Sequence, residues 1–446
     1  MLTSLPPGPS LTPEEQTFAW FARPFTFLNE CREKYGDSFT LEFKGLGKHI
    51  FFSEPDAVQQ ILNGDPDHYY AGEGNAIIRP FLGKNSLLTL DGKNHDRHRK
   101  LMTPAFHGPH MKCYFHLMYV AIHKATDSWK VGSKFSIHDA MMDISLEIIL
   151  LAVFGSKEDP RIIKMKELLV PLLDFAGFST LVSTPDESPH GEMNAWDQFT
   201  SRSKELDVLL FSEISDRLTD PLSLDKGEDI LSILLSASLK SESPLSQDEI
   251  RDEIITLLLA GHETTATALS WAFYWIHSTP DVLKKVREEL DASDPHVESD
   301  PLHQLHYLEA VVKETLRINP VIPVISRQLQ QTTKILNYTI PSGLQVTPCI
   351  YLVHHRPELY PDPDQFKPER FLNHRFGPHE YLPFGGGVRR CIGMAFGMAE
   401  MKMVLALILK KYELELIKKT PIKPIRRTVT IFPAGGVKMK VQAIRN

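Results

Sequence analysis

Cysteine is scarce in this chain. Only Cys31, Cys113, Cys349 and Cys391 occur in 446 residues, and no two of them form a CxxC pair. A zinc site or a disulfide framework is therefore poorly supported. Sparse, scattered thiols suit a reducing compartment, and a cytoplasmic location is expected. Positive charge is also short: 49 Lys and Arg against 56 Asp and Glu leave a formal net charge of −7. The broad basic face that non-specific nucleic-acid binding needs is missing. No uninterrupted apolar run reaches about 18 residues, so no transmembrane anchor is indicated. The opening MLTSLPPGPSLTP has neither the basic start nor the apolar stretch of a signal peptide. No GxGxxG follows a strand-like run, so a flavin or nicotinamide module inside the chain is excluded, and electrons for any redox chemistry must come from outside.

What is there reads as one large unit. Length alone suggests about three domains, but no repeat, low-complexity segment or flexible linker divides the chain. The expectation is a single domain over residues 1–446, monomeric, with a core large enough to enclose a cofactor. The Pro-rich start reads as an extended arm. GDSFTLEFKGLGKHIFFSEP alternates like two strands with a turn between them. From about residue 95 to 315 the apolar spacing is mostly helical, interrupted at 183–194 and 219–229. Short strands are expected near 329–353, an irregular proline-rich segment after them, a helix from about Ile392 to Lys411, and a closing strand pair in TVTIFPAGGVKMKV. The fold class is mainly α with a minor β region.

The stretch at 250–278, IRDEIITLLLAGHETTATALSWAFYWIHS, is apolar on nearly all sides, as a buried helix is. Its middle holds Gly261, His262, Glu263, Thr264 and Thr265. A buried carboxylate is costly unless partnered, and glycine inside a helix costs roughly 1 kcal/mol relative to alanine. A threonine hydroxyl can bond the carbonyl four residues back, for Thr264 that of Ala260, and bend the helix. An acid and an alcohol beside a local opening can pass protons to something bound there; the alternative is a kink with a satisfied polar patch. Downstream, Glu314 and Arg317 share a helical face at i, i+3. Such a pair is ordinarily a solvated ion pair, but Arg370, in the PERF segment, offers a second guanidinium to the same carboxylate. A buried Glu–Arg–Arg cluster would lock a helix to an irregular segment, a structural role.

FGGGVRRCIG, residues 384–393, crowds glycines and arginines around one cysteine. Cys391 stands just before a helix, where an anion such as a thiolate is stabilised. The glycines at 385–387 allow sharp turning and close approach to a flat partner. Backbone N–H groups just after Cys391 can donate to its sulfur and tune a metal-bound thiolate. A single thiolate with arginines nearby fits haem iron and haem propionates. Far upstream, His95 and Arg99 lie at i, i+4 on a helical face, and Arg327 follows INPVIPVIS. With Arg389 they offer charge to offset two propionates; the alternative for the 93–100 cluster is a solvated basic surface.

Phe384-x-x-Gly387-x-Arg389-x-Cys391-x-Gly393 resembles the haem-binding signature of the cytochromes P450. Ala260-Gly261-x-Glu263-Thr264-Thr265 resembles that family's oxygen-activating helix. Glu314-x-x-Arg317 with PERF resembles its Glu–Arg–Arg lock, and His95-x-x-x-Arg99 its propionate-contacting helix. The motifs occur in the family's order and span almost the whole chain. With four linked motifs for haem and no His/Asn constellation for a nucleophile, the reading of Cys391 as a catalytic nucleophile falls away. The resemblance implies a mostly α triangular prism with haem b between two helices, held by Cys391 as the metal ligand and by Phe384, Gly385, Arg389, Gly393, His95, Arg99 and Arg327. It implies a monooxygenase in which Glu263 and Thr264 deliver protons. PERF and AGHETT look eukaryotic in style, while the expected absence of an anchor matches soluble bacterial members. The overall pattern is similar to soluble cyanobacterial members that oxidise fatty acids and terpenoids.

Pocket walls carried over from the family are Ala76, Ile77 and Phe81 before the basic helix, and Leu257 and Ala260 on the central one. Val321, Ile322 and Val324 follow the Glu–Arg helix, and Ile431 and Phe432 lie near the end. They are mostly aliphatic, which implies an apolar substrate, a fatty acid or terpenoid. Arg389, Arg390, Arg97 and Lys100 would form a basic face for an acidic ferredoxin or flavodoxin served by an NADPH-dependent reductase. Two other enzyme readings are a haem-thiolate peroxygenase and an isomerase, and both need less proton delivery than Glu263 and Thr264 supply. A haem-based gas sensor, the reading from another class, should carry an output module, and none is visible.

Overall fold

The computed structural model describes residues 5–445 apart from 109, 156–158, 179–194, 221–223, 225, 294–301, 419 and 428. The expected irregular stretch at 183–194 lies outside the described residues, as does part of the one at 219–229. The centre of the molecule is the helix Gln247–Ser278. It starts at a capping box: Glu249 N–H donates to Ser246 Oγ at 3.2 Å, and Ser246 N–H donates to the Glu249 carboxylate at 2.8 Å. Residues 252–258 and 265–274 are all buried, so the helix needs cover on every side. The helices Ile137–Phe154, His306–Ile318 and Met394–Lys411 supply it. Gly261 makes the first of these contacts possible. A β-carbon there would lie 3.0 Å from Ile149 Cδ1, so the bare α-carbon lets the two helices approach.

Beside the helical body lies a five-stranded sheet in the order Ser38–Phe43, Gly47–Phe52, Gln345–Pro348, Arg327–Leu329, Tyr69–Tyr70. The first two strands form the antiparallel hairpin expected from their alternation, with Thr40 opposite Ile50. Phe51 then pairs in parallel with Thr347, and Arg327 pairs with Val346. The sheet thus carries Arg327 to the side of the molecule where the basic helix Gly92–Met102 begins. The Pro-rich arm is extended along the first strand, whose Thr40 N–H and hydroxyl donate to the Pro7 and Pro6 carbonyls at 3.0 and 2.7 Å.

Two expectations are corrected. The closing segment does contain strands, Thr430–Pro433 and Lys438–Ile444, but they do not pair with each other. The first forms a hairpin with Pro424–Arg427, and the second lies between Lys134–Ser136 and Tyr412–Leu416. The reason is that Ile137 N–H donates to the Val437 carbonyl at 2.8 Å, which commits the chain to the second sheet. The apolar run at 350–354 is a short helix, Ile350–His354, rather than strand; periodicity cannot separate the two in so short a run.

Glu314 and Arg317 have no exposed side-chain surface. Arg317 Nε and Nη2 donate to the two Glu314 carboxylate oxygens at 2.7 and 2.8 Å. Arg370 Nε adds a third contact at 3.3 Å, and Lys367 N–H donates at 2.9 Å. Arg317 Nη1 donates to His354 O at 2.9 Å, and its guanidinium lies over the Tyr360 ring. Removing one partner leaves a buried charge uncompensated, which costs about 3–5 kcal/mol. Glu314→Ala is therefore expected to lower the denaturation midpoint of the holoprotein by that equivalent; an unchanged midpoint would show that the cluster does not bear stability.

Candidate active site

The 384–393 loop closes on itself. Gly385 N–H donates to Leu382 O at 3.0 Å, Arg390 N–H to Gly387 O at 3.1 Å, and Cys391 N–H to Phe384 O at 2.9 Å. Gly387 has φ +63°, and a β-carbon there would lie 2.0 Å from the Leu62 carbonyl oxygen. Only glycine satisfies both constraints. Phe384 packs against the main core. Cys391 stands just ahead of Gly393, the N-cap of the helix Met394–Lys411. Its side chain is accessible, yet protein surrounds it so closely that burial is the main influence on its thiol and pushes the pKa up. The sulfur therefore lies on the wall of a cleft within the molecule. The Gly393 N–H, Arg99 and Arg390 pull the other way, toward thiolate. A metal cation would complete that shift, since a coordinating thiol is deprotonated outright.

The upstream charges gather near this loop. His95, Arg327 and Arg389 line one small cavity together with Leu62, Tyr69 and Val388. His95 is buried and its pKa falls to about 4 through burial and the neighbouring Arg389, so it is neutral. Arg389 is already engaged: it donates to Leu87 O at 3.0 Å, to Leu90 O, and to Asp91 Oδ1 at 2.6 Å. Arg99 donates to Arg390 O at 2.7 Å, and Arg327 to Ser326 O at 2.8 Å. Among the described residues neither forms an ion pair. Burial lowers the pKa of both, and that of Arg327 falls to about 10. A buried guanidinium (Arg327) and a half-buried one (Arg99), both with spare donors, call for anions. A thiol, two unmatched cations and a glycine turn are the donor set that a dianionic porphyrin with an axial thiolate requires.

The polar turn of the central helix has its own local partners. Leu259, Ala260, Gly261, Glu263 and Thr264 are half-buried, between the buried runs 252–258 and 265–274. Thr264 Oγ1 donates to Ala260 O at 2.7 Å. Glu263 Oε1 accepts from Thr430 Oγ1 at 2.8 Å. Of the expected pocket residues, Ala76, Ile77, Ala260, Ile322, Val324 and Phe432 are half-buried. Leu257 and Val321 belong to the main core with 7% exposure each. Ile431 has no exposed surface and packs in a separate cluster with Trp20 and Phe51, so it is removed from the wall. Phe81 meets Trp196 and Phe199 at ring distances of 6.1 and 5.2 Å.

Several residues of this region escaped the sequence reading. Asp91 precedes the helix Gly92–Met102 like a cap, but its carboxylate accepts instead from the N–H groups of Ala71, Gly72 and Glu73 and from Arg389. Its N-cap position was the only local signal. Thr430 gave none. The expected basic face is also smaller than the sequence implied. Arg97 is bound to Glu249 and to Ser243, and Arg389 faces Asp91. Arg390 and Lys100 remain exposed.

The profile of the family described as Cytochrome P450 matches residues 6–441. The chain belongs to the cytochrome P450 family. A putative cytochrome P450 135B1 of Mycobacterium tuberculosis is 35% identical over 99% of this chain and 92% of its own length. The putative cytochrome P450 135A1 of the same organism is 32% identical over 99% of this chain and 96% of its own. Among solved structures, a retinoic acid-bound cyanobacterial P450, CYP120A1, superposes with a TM-score of 0.86 at 25% identity, covering 98% of this chain and 99% of that one. The expected mainly α fold and the haem-thiolate monooxygenase class thus hold, with haem b as the P450 cofactor. Among the described residues no helix is long and apolar enough to cross a membrane. Arg327 makes the cofactor site testable without turnover. Arg327→Leu should speed haem transfer to apomyoglobin about tenfold, the effect of losing one charged hydrogen bond; transfer at the native rate would mean that Arg327 does not hold the cofactor.

Proposed function

We propose that this P450 hydroxylates an apolar fatty acid or terpenoid; Cys391 would hold the haem iron, Arg99 and Arg327 would face the propionates, and Glu263 and Thr264 would handle protons. The observation that carries the substrate reading is the lining: Ala76, Ile77, Ala260, Ile322 and Val324 are all aliphatic and all half-buried. Such a wall binds by excluding water and offers no partner to a polar group. The retinoic acid bound in the similar cyanobacterial structure, an isoprenoid acid, is a ligand of the same class. Arg79 is half-exposed and donates to Glu73 at 2.7 Å. A substrate carboxylate reaching it would have to compete with that pair.

The thiolate-bound haem, when present, supplies the cleavage of dioxygen. The remaining work falls to the chain. One oxygen atom enters a C–H bond and the other leaves as water, consuming two electrons and two protons. Thr264, with its hydroxyl proton on Ala260 O, leaves its oxygen lone pairs as acceptors toward the cleft. Glu263 holds an exchangeable proton site at its carboxylate, fixed by the Thr430 hydroxyl. The aliphatic wall keeps bulk water out.

Titration of the ferric holoenzyme with fatty acids, isoprenoid acids and polar controls of similar size tests the substrate reading. Saturable Soret shifts are expected from the first two groups; shifts from the polar controls alone would overturn it. Electrons are proposed to arrive from an acidic ferredoxin or flavodoxin and its NADPH-dependent reductase. The supporting feature is the exposed pair Arg390 and Lys100 beside the cysteine loop. Steering by such charges weakens with salt. Arg390→Glu with Lys100→Glu should slow reduction by ferredoxin several-fold at low salt and less at high salt, and native rates under both conditions would count against this face.

A further inference from the structure

The end of the chain carries a charge opposite in sign to the whole. Residues 410–446 hold ten Lys and Arg against two Glu, in a chain whose net charge is −7. Part of that charge gathers on one sheet, whose strands Lys134–Ser136, Lys438–Ile444 and Tyr412–Leu416 lie in that order. Tyr412 follows directly on the 18-residue helix Met394–Lys411. At about 1.5 Å per residue that helix carries the sheet roughly 27 Å from the cysteine loop. The sheet is therefore separate from the face that bears Arg390 and Lys100.

Alternation decides which side chains the sheet shows to solvent. Met439 and Val441 are buried in the main core, so Lys438 and Lys440 turn outward. Lys440 stands opposite Lys134 on one side and Glu415 on the other. Like charges directly opposite weaken a strand pair. Ile417 N–H donates to Lys438 O at 3.0 Å, which continues the pairing by one step and sets Ile417, 44% exposed, beside Lys438. At the opposite edge a tight turn leads into the sheet. Ser133 N–H donates to Lys130 O at 3.0 Å, and Gly132 has φ +88°. Turns favour Gly, Pro, Asn, Asp and Ser, yet this one also presents Val131, which is 60% exposed. The turn is held firmly: Gly132 N–H donates to Val441 O at 2.8 Å, and Val441 N–H to Ser133 O at 3.0 Å.

Lys130, Lys134, Lys418 and Lys438 are exposed and Lys440 is half-exposed. Among the described residues none of the five forms an ion pair. The nearby acids have other partners. Asp127 pairs with Lys411, Glu413 with Arg287 and Asp139 with His138, while Glu415 accepts the Gln442 amide. Unmatched lysines attract an anionic surface, and the two aliphatic side chains decide its kind. Nucleic acid would use the charge alone. A protein interface has an apolar core and a polar rim, whereas here the lysines are central and Val131 and Ile417 stand at the edges. A bilayer surface takes both, with phosphates for the ammonium groups and an acyl boundary for the aliphatic ones.

We propose that the outer face of this three-stranded sheet, with the 130–133 turn, docks the enzyme on an anionic lipid bilayer. The lysines meet headgroup phosphates, and Val131 and Ile417 reach the acyl boundary. The association is peripheral and independent of which apolar substrate the enzyme takes.

The test is sedimentation of the ferric holoenzyme with vesicles of phosphatidylcholine alone or mixed equally with phosphatidylglycerol. Binding is expected to the mixed vesicles only and should weaken with salt. Lys134→Gln and Lys438→Gln should each weaken it about fivefold, the effect of one lysine at an anionic surface. Val131→Ser should weaken binding several-fold without changing its salt dependence. Lys44→Gln, an exposed lysine on another sheet, should bind as native. All of these positions are exposed, and an unchanged Soret spectrum checks the fold of each variant. No binding to the mixed vesicles, or equal loss in Lys44→Gln, would overturn the proposal. So would native vesicle binding in Lys134→Gln with Lys438→Gln together with slowed reduction by ferredoxin, because the face would then dock an acidic protein.

Discussion

The buried Glu314–Arg317 pair is the interaction from which the cysteine loop is hung. Arg317 spends two donors on Glu314 and a third on the His354 carbonyl at 2.9 Å. His354 in turn accepts the Leu382 N–H on its Nε2 at 3.0 Å. Leu382 begins the turn that Gly385, Gly387 and Cys391 complete. For Nε2 to accept, the imidazole must be neutral, and burial with Arg317 nearby holds the His354 pKa well below its usual value. One charge pair is thereby linked through a single histidine to the turn that carries Cys391. A cluster with this burial gains little net stability over apolar packing. What it provides is a fixed geometry between a helix and a segment too rich in proline for regular structure.

Around the sulfur the charges leave a definite remainder. His95 is neutral, Arg389 is matched by Asp91, and Arg97 by Glu249. Arg99 and Arg327 stay unmatched, and Cys391 is held toward the thiol by burial. Two cations and a thiol whose ionisation burial opposes are complementary to two propionates and an iron. The electrostatic design is thus one of compensation, in which each partner makes the other's burial affordable in free energy.

Sequence exposed the parts of this design that are local. The glycine-rich loop, the polar turn in an apolar helix and the i, i+3 pair each lie within ten consecutive residues, where spacing alone carries geometry. The strand order and the charge pairings do not. Asp91 meets Arg389, Thr430 meets Glu263 and Ser145 meets Gly261 across more than a hundred residues. None of them differs in sequence from an ordinary surface or strand residue. The same blindness made Arg97 and Arg389 look like parts of an open basic face, and put Ile431 on a pocket wall. Alternation in its strand turns Thr430 and Phe432 to one side and Ile431 to the core, but which side holds the cleft depends on the helix packed against it.

Three carboxyl groups on the helices that enclose the cleft meet the cost of burial in three ways. Glu314, fully buried, keeps its charge because two guanidinium groups and a backbone N–H surround it. Glu263 is half-buried and accepts the Thr430 hydroxyl. Glu400 is fully buried, and burial pushes its pKa up to about 8. The gradation matches what each can do. A fully paired charge is immobile and suits a scaffold. A partly solvated acid exchanges its proton readily and suits delivery.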